Sequence, residues 1–222
     1  MSFILHIETA TRVCSVALSE HGELVQLQEF KDEGYSHGEQ LTLLIQKVLG
    51  LQGITAEKLS AVSVSAGPGS YTGLRIGVST AKGLCYALGI PLIAVDTLQA
   101  MAEVARIVYP SMDLCPMIDA RRMEVFSLIT NFEAAVLKPV SADVLDADSY
   151  REFEPFVCFG DGAAKMEALW EGRDIMFDLD LEPSAKGQVH AAYQKFQDQA
   201  FEDVAYFEPA YLKEFYQAPV KK

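Results

Sequence analysis

Tight glycine loops, serines beside them and carboxylates at strand ends are the parts of this 222-residue sequence with reactive or ligand-binding potential. The run Gly67-Pro68-Gly69-Ser70-Tyr71-Thr72-Gly73 separates an apolar strand from a helical pattern. A strand, glycines and then a helix aim backbone N–H groups at a phosphate. Both regular phosphate patterns nevertheless fail. A P-loop requires Lys after its last glycine, and Leu74 follows Gly73. A dinucleotide fingerprint requires G-x-G-x-x-G, and Gly73 arrives one residue late. The simpler reading is a tight turn whose glycines permit positive φ and close packing. Gly67, Gly69 and Ser70, with the second loop Gly160-Asp161-Gly162, stand as a candidate weak nucleotide contact.

Other chemistries fare worse. Ser70 occupies the second place of its glycine-flanked pentapeptide rather than the third, so it is not a nucleophile elbow. As a helix N-cap it needs no further explanation. The four histidines, His6, His21, His37 and His190, lack a second His at metal-ligand spacing. Glu8, Asp96, Asp119 and Asp161 each end a strand, where ligand sites of α/β folds gather, but acidic residues beside turns also serve local hydrogen bonding. Cys14, Cys85, Cys115 and Cys158 lie far apart in apolar surroundings and read as buried free thiols.

Charge narrows the classes further. Lys plus Arg number 18 and Asp plus Glu 31, so the net charge is 18 − 31 = −13. Phosphate affinity rests on clustered Lys and Arg, so this chain is a poor nucleic-acid binder by itself. Arg121-Arg122 is too small a basic spot for a nucleic-acid groove. The opening residues Met1–Glu8 lack a basic, then apolar, signal pattern, and no stretch reaches the ~18 apolar residues of a spanning helix. A cytoplasmic location and no membrane contact are expected.

The elements that must position these residues follow from periodicity. Phe3–Ile7, Val13–Ser19 and Leu24–Phe30 read as an antiparallel meander. Ser36 with Glu39 forms a capping box for a helix with apolar Leu41, Leu44, Ile45, Val48 and Leu49. Ala61–Ser65 is a strand, and a second helix runs from the glycine loop to about Leu88, stopped by Gly89. Ile90–Val95 is a strand, with Thr97 capping a helix Leu98–Val108. Leu114–Ile118, Met123–Thr130 and Val136–Lys138 repeat the meander. Asp146–Phe153 is a weak helix, Phe156–Phe159 a strand, Ala163–Trp170 a helix, Ile175–Phe177 a strand and Ser184–Ala200 an amphipathic helix. The same grammar thus occurs twice, with a boundary near 100–112, giving segments 1–108 and 109–222. At about 150 residues per domain, two small halves suit this length.

The combined motifs are distinctive. Ile7-Glu8-Thr9-Ala10-Thr11 leads into Cys14-Ser15-Val16-Ala17-Leu18, followed by the glycine loop with Leu74-Arg75-Ile76-Gly77. Then come Asp119-Ala120-Arg121-Arg122-Met123-Glu124-Val125-Phe126 and Glu208-Pro209-Ala210-Tyr211-Leu212. In this order, across nearly the whole chain, they strongly resemble the TsaB (YeaZ) family of bacterial proteins. The match is weakest over 130–200. The resemblance implies an α/β actin-like ATPase (ribonuclease H-like) fold with two duplicated halves and mixed sheets. It also implies a part in adding threonylcarbamoyl to the adenosine beside the anticodon of tRNAs reading ANN codons. In that family's complex a paralogue, TsaD, carries the catalytic metal on an H-x-x-x-H helix, and TsaE is a further partner.

Here the matching helix offers His37, but position 41 is Leu, so a metal site and a protease reading both fail. The resemblance therefore implies a non-catalytic subunit that pairs with TsaD, or with itself when alone. No cofactor of its own is expected, and ATP or ADP belongs to the complex interface. On the second helix Tyr71, Arg75, Ser79 and Lys82 share one face. With His37, Leu41 and Leu44 they form the expected docking surface, where Gly77, Ser79 and Gly83 would permit close helix approach. The rival readings are a stand-alone phosphotransferase of the same fold and an actin-like filament protein. The first needs carboxylates set for Mg²⁺ and a base, and this chain is short for either.

Overall fold

A computed structural model describes residues 2–31 and 37–212. Two five-stranded mixed sheets dominate it, and their topologies coincide. The first holds β1 (Phe3–Glu8), β2 (Val13–Glu20), β3 (Glu23–Lys31), β4 (Leu59–Ser65) and β5 (Leu92–Val95). The second holds β6 (Asp113–Asp119), β7 (Glu124–Thr130), β8 (Val136–Val144), β9 (Phe156–Phe159) and β10 (Ile175–Asp178). The first runs in the order β3-β2-β1-β4-β5 and the second as β8-β7-β6-β9-β10. In both, the first three strands pair antiparallel and the last two are added in parallel. This repeated arrangement is the actin-like ATPase, ribonuclease H-like fold expected from the motifs.

Helix α1 (His37–Leu51) and α2 (Tyr71–Leu88) cover one face of the first sheet. Leu41, Leu44, Ile45 and Val48 of α1 and Val78, Ala81 and Cys85 of α2 meet Leu5, Ile7, Val16 and Val62 in one apolar cluster. The other two helices cross over. Leu98, Met101, Ala102, Val104 and Ala105 of α3 (Thr97–Val108) pack on Leu114, Phe126 and Val157 of the second sheet. Ala192 of α4 (Val189–Gln197) packs with Ile4 and Ile93 of the first. All strands of the first sheet lie within 1–108 and all strands of the second within 109–222, but the helices do not respect that division.

Several local expectations change. The capping box rests on Ser36, which lies outside the described residues. The cap of α3 is Asp96, whose side chain accepts from Gln99 N at 2.9 Å, and not Thr97, which is helical and buried. A carboxylate is the stronger acceptor at a helix N-terminus. The strand at Val136 continues through Pro139 to Val144 because β8 is an edge, where a missing N–H costs no ladder bond. The expected helix Asp146–Phe153 is a turn closed by Asp146, followed by a short 3-10 turn, Arg151–Phe153. The expected helix Ala163–Trp170 is a 3-10 turn (Ala163–Lys165) and further turns. Gly162 and Gly172 bracket a run too short for a cooperative helix, and burial of Met166 and Trp170 decides its shape instead. The last helical segment begins as a 3-10 turn, Ala185–Gln188, before α4. The four cysteines are buried free thiols, as expected.

Candidate functional site

The sequence-selected residues lie at the ends of β1 and β4, at the ends of β6 and β9 in the second sheet, on the outer face of α2 and, for His37, Leu41 and Leu44, on α1. At the strand ends the chain is packed against itself. Glu8 terminates β1 fully buried. Its Oε1 accepts from Ala10 N at 2.7 Å, while Oε2 is buried and unpaired among the described residues. Burial pushes this carboxyl from an ordinary 4.5 up to about 7. The Ala10 N–H, Ser65 and Gln188 oppose that shift, yet neither side chain completes a hydrogen bond to Oε2.

Behind Glu8 runs a buried polar string. Gln188 Nε2 donates to Ile7 O at 2.8 Å, and Ser63 Oγ donates to Gln188 Oε1 at 2.7 Å. Ser63 then accepts from His6 Nδ1 at 2.7 Å, which leaves His6 Nε2 to accept from Ser19 Oγ at 2.8 Å. Burial lowers His6 to about 3, so the ring is neutral and this single tautomer satisfies every group. Gln188 comes from the far end of the chain. The string therefore fastens the 3-10 turn Ala185–Gln188 to the first sheet.

The glycine loop is equally self-directed. Ser70 N donates to Ala10 O at 2.6 Å. Ser70 Oγ caps α2 through Gly73 N at 3.2 Å. An added Cβ on Gly69 would stand 2.5 Å from Ala10 O, and one on Gly73 2.1 Å from Thr9 O. Gly67, at φ +99, faces Ala210 O in the same way. In the second half, Gly160 and Gly162 abut the backbone of Met117 and Ile118 in β6. The five residues selected for nucleotide contact thus lie in loops that follow strands of two different sheets, β4 and β9, and pack against backbone of neighbouring segments.

Asp119 and Asp161 do meet. Asp161 Oδ1 accepts from Asp119 N at 2.8 Å, and Lys165 Nζ binds Asp119 Oδ1 at 2.5 Å. Burial raises Asp161, against its bond to Asp119 N. With a lysine already seated on it, this pair reads as a hairpin anchor. Among the described residues no group of three or more His, Cys, Asp or Glu side chains is placed to hold a metal ion.

The outer face of α2 is different in character. Tyr71, Arg75 and Ser79 are exposed at successive helical turns and line a shallow groove with Thr72, Ile76 and Thr80. Gly83 continues the stripe with open space around it, and Tyr86 ends it 85% exposed. The Arg75 guanidinium lies 4.1 Å from the Tyr71 ring centre. Tyr and Arg are the residue types enriched in protein–protein contacts.

A family model described as "TsaD: tRNA N6-adenosine threonylcarbamoyltransferase" matches residues 33–219. The Escherichia coli K12 protein named "tRNA threonylcarbamoyladenosine biosynthesis protein TsaB" is 31% identical over 222 aligned residues, 95% of this chain and 94% of that one. The chain belongs to the TsaB/YeaZ family. The Haemophilus influenzae protein of the same name is 31% identical over 149 residues, 67% of this chain and 60% of that protein's length. The solved structure of YeaZ from Pseudomonas aeruginosa matches with TM-score 0.80 and 24% identity, over 96% of this chain and all of that one, which establishes the common fold.

Within this TsaB-family chain the expected docking residues separate into two groups. Tyr71, Arg75 and Ser79 share the exposed stripe, with Lys82 half-buried beside it. Leu41 (1% exposed) and Leu44 (8%) belong to the core beneath α1 and present no surface. His37 is also buried, with Nε2 2.7 Å from Thr11 O. Gly77 is small for an internal reason, since an added Cβ would lie 2.3 Å from Thr9 Oγ1. The apolar period on α1 identified a face correctly but not what that face meets. Sequence reasoning missed Gln188 altogether, because a polar residue in a short turn carries no periodic signal.

Proposed function

We propose that this chain is the non-catalytic, activating subunit of a complex that adds a threonylcarbamoyl group to N6 of the adenosine beside the anticodon in tRNAs reading ANN codons. Its direct partner is a TsaD-type transferase, with TsaE joining them, and alone it forms a homodimer. Family membership carries this reading: its relatives are named for threonylcarbamoyladenosine biosynthesis. Two features support a scaffold role over a catalytic one. The residue four after His37 is Leu41, a core residue in place of a second ligand. The glycines of the loops that would meet a nucleotide pack closely against backbone of neighbouring segments. Any ATP or ADP belongs at the complex interface, and tRNA contact belongs to the partner, as a net charge of −13 favours.

The outer stripe of α2 is the docking surface in this reading. Reconstitution with partner subunits, tRNA, threonine, bicarbonate and ATP tests the role. Modification should fall to background when this chain is left out, and full activity without it refutes the proposal. Calorimetry with ATP and ADP on the isolated chain addresses the rival phosphotransferase reading, which requires micromolar binding and turnover.

A further inference from the structure

One sequence motif, Glu208-Pro209-Ala210-Tyr211-Leu212, is not used by the proposed function, and its placement is informative. The segment begins beside β5, where Glu202 N donates to Leu92 O at 2.9 Å. It then runs along α2 from the middle of that helix toward its N-terminus. Lys82 Nζ grips it at two points, Ala205 O and Phe207 O, each at 3.0 Å. Val204 and Phe207 rest on the apolar cluster under α2. Ala210 N donates to Ala66 O at 2.7 Å, and the Ala210 carbonyl occupies the space beside Gly67 that a side chain there would fill. Arg75 Nε donates to Tyr211 Oη at 3.2 Å, and the Tyr71 and Tyr211 rings lie 5.0 Å apart.

The glycine loop and the C-terminal motif, far apart in the chain, are thus complementary parts of one fastening. We infer that residues 202–211 form a latch that sets the outer face of α2, with Lys82 as its positioning residue, and that partner binding by α2 depends on the latch being closed. The inference rests on the docking role proposed above. The latch leaves Arg75 and Tyr71 exposed and holds their side chains from one side. It also presents Tyr206, 84% exposed, between the two carbonyls that Lys82 grips. Closing it pre-orders long side chains that would otherwise lose rotamer freedom on binding.

The middle and the far end of the latch are held by side chains that can be removed without opening the core. Lys82→Met keeps the aliphatic stem and removes the two charge-assisted hydrogen bonds. Tyr211→Ala releases the far end. Hydrogen exchange over residues 203–211 and calorimetric affinity for the partner subunit are measured on each full-length variant, with melting temperature as the control for folding. Exchange should quicken about tenfold or more and affinity fall about tenfold in Lys82→Met, the scale of losing a charge-assisted hydrogen bond. Lys82→Arg should restore both. Unchanged exchange in both variants would show that no latch is held there. Faster exchange with unchanged affinity would show a latch that has no bearing on docking. Ser79→Arg with Gly83→Arg, measured in parallel, separates the two ideas. If that pair leaves affinity intact, the docking role of α2 fails and the inference with it. If that pair abolishes binding but the latch variants do not affect it, only the latch inference fails.

Discussion

Glu8→Gln should stabilise this protein at neutral and alkaline pH and leave its stability almost unchanged at pH 4.5. The carboxyl is fully buried, with one oxygen on Ala10 N and the other without a partner among the described residues, and burial raises it from 4.5 to about 7. A carboxyl with the higher pKa in the folded chain holds its proton more tightly when folded. Its favourable contribution is therefore complete below about pH 4.5 and is lost as pH rises through 7. The rise from 4.5 to about 7 corresponds to roughly 3 kcal/mol. Glutamine keeps the acceptor for Ala10 N and never ionises, so above pH 8 it should recover most of that amount. For a chain of this size this is a rise of about 6–12 °C in melting temperature. Thermal or urea unfolding of both proteins from pH 4.5 to 8.5 measures the difference. His6 is common to both and cancels. Parallel stability curves, or a Gln variant less stable at pH 8.5, would refute the account of Glu8 as a buried, protonatable carboxyl.

Three further outcomes follow from the same packing. Burial lowers the His6 pKa from 6.5 to about 3, so His6 should lower stability as pH falls below 6.5 toward 3; acid titration of unfolding in His6→Gln should show a shallower loss than the parent. Leu44→Ala should cost about 2–5 kcal/mol by urea unfolding, because Leu44 is a core residue, whereas Gly83→Arg, with open space around it, should leave the midpoint nearly unchanged. Asp143 Oδ2 accepts from Lys138, Ser127, Ser141 and Tyr150 at 2.6–2.8 Å, so Asp143→Ala should cost about 1–3 kcal/mol and Asp143→Asn less, measured by thermal unfolding.

Local pattern was enough for much of this protein. Alternation marked the two meanders, and the twofold recurrence of strand and helix order foretold two sheets of one topology. Ser70 and Gly89 bounded α2 because capping is a property of neighbouring residues: a side-chain oxygen for an orphan N–H, and a left-handed turn at φ 66. The missing ligand at Leu41 was equally plain, since residue type alone decides it. What a face meets, by contrast, depends on residues far away in the chain. The stripe of Leu41 and Leu44 could serve a core or a partner by periodicity, and only the sheet beneath α1 settled it. Gly67 and Gly69 are candidate nucleotide contacts by sequence, and only the fold shows that Ala210 and Ala10 stand in the spaces beside them. The crossing of α3 and α4 between sheets, the buried string from Gln188 to His6, and the seating of the tail on Lys82 are all contacts between distant segments. Such contacts form because burial and hydrogen-bond satisfaction are properties of the assembled chain, and no local window of sequence contains them.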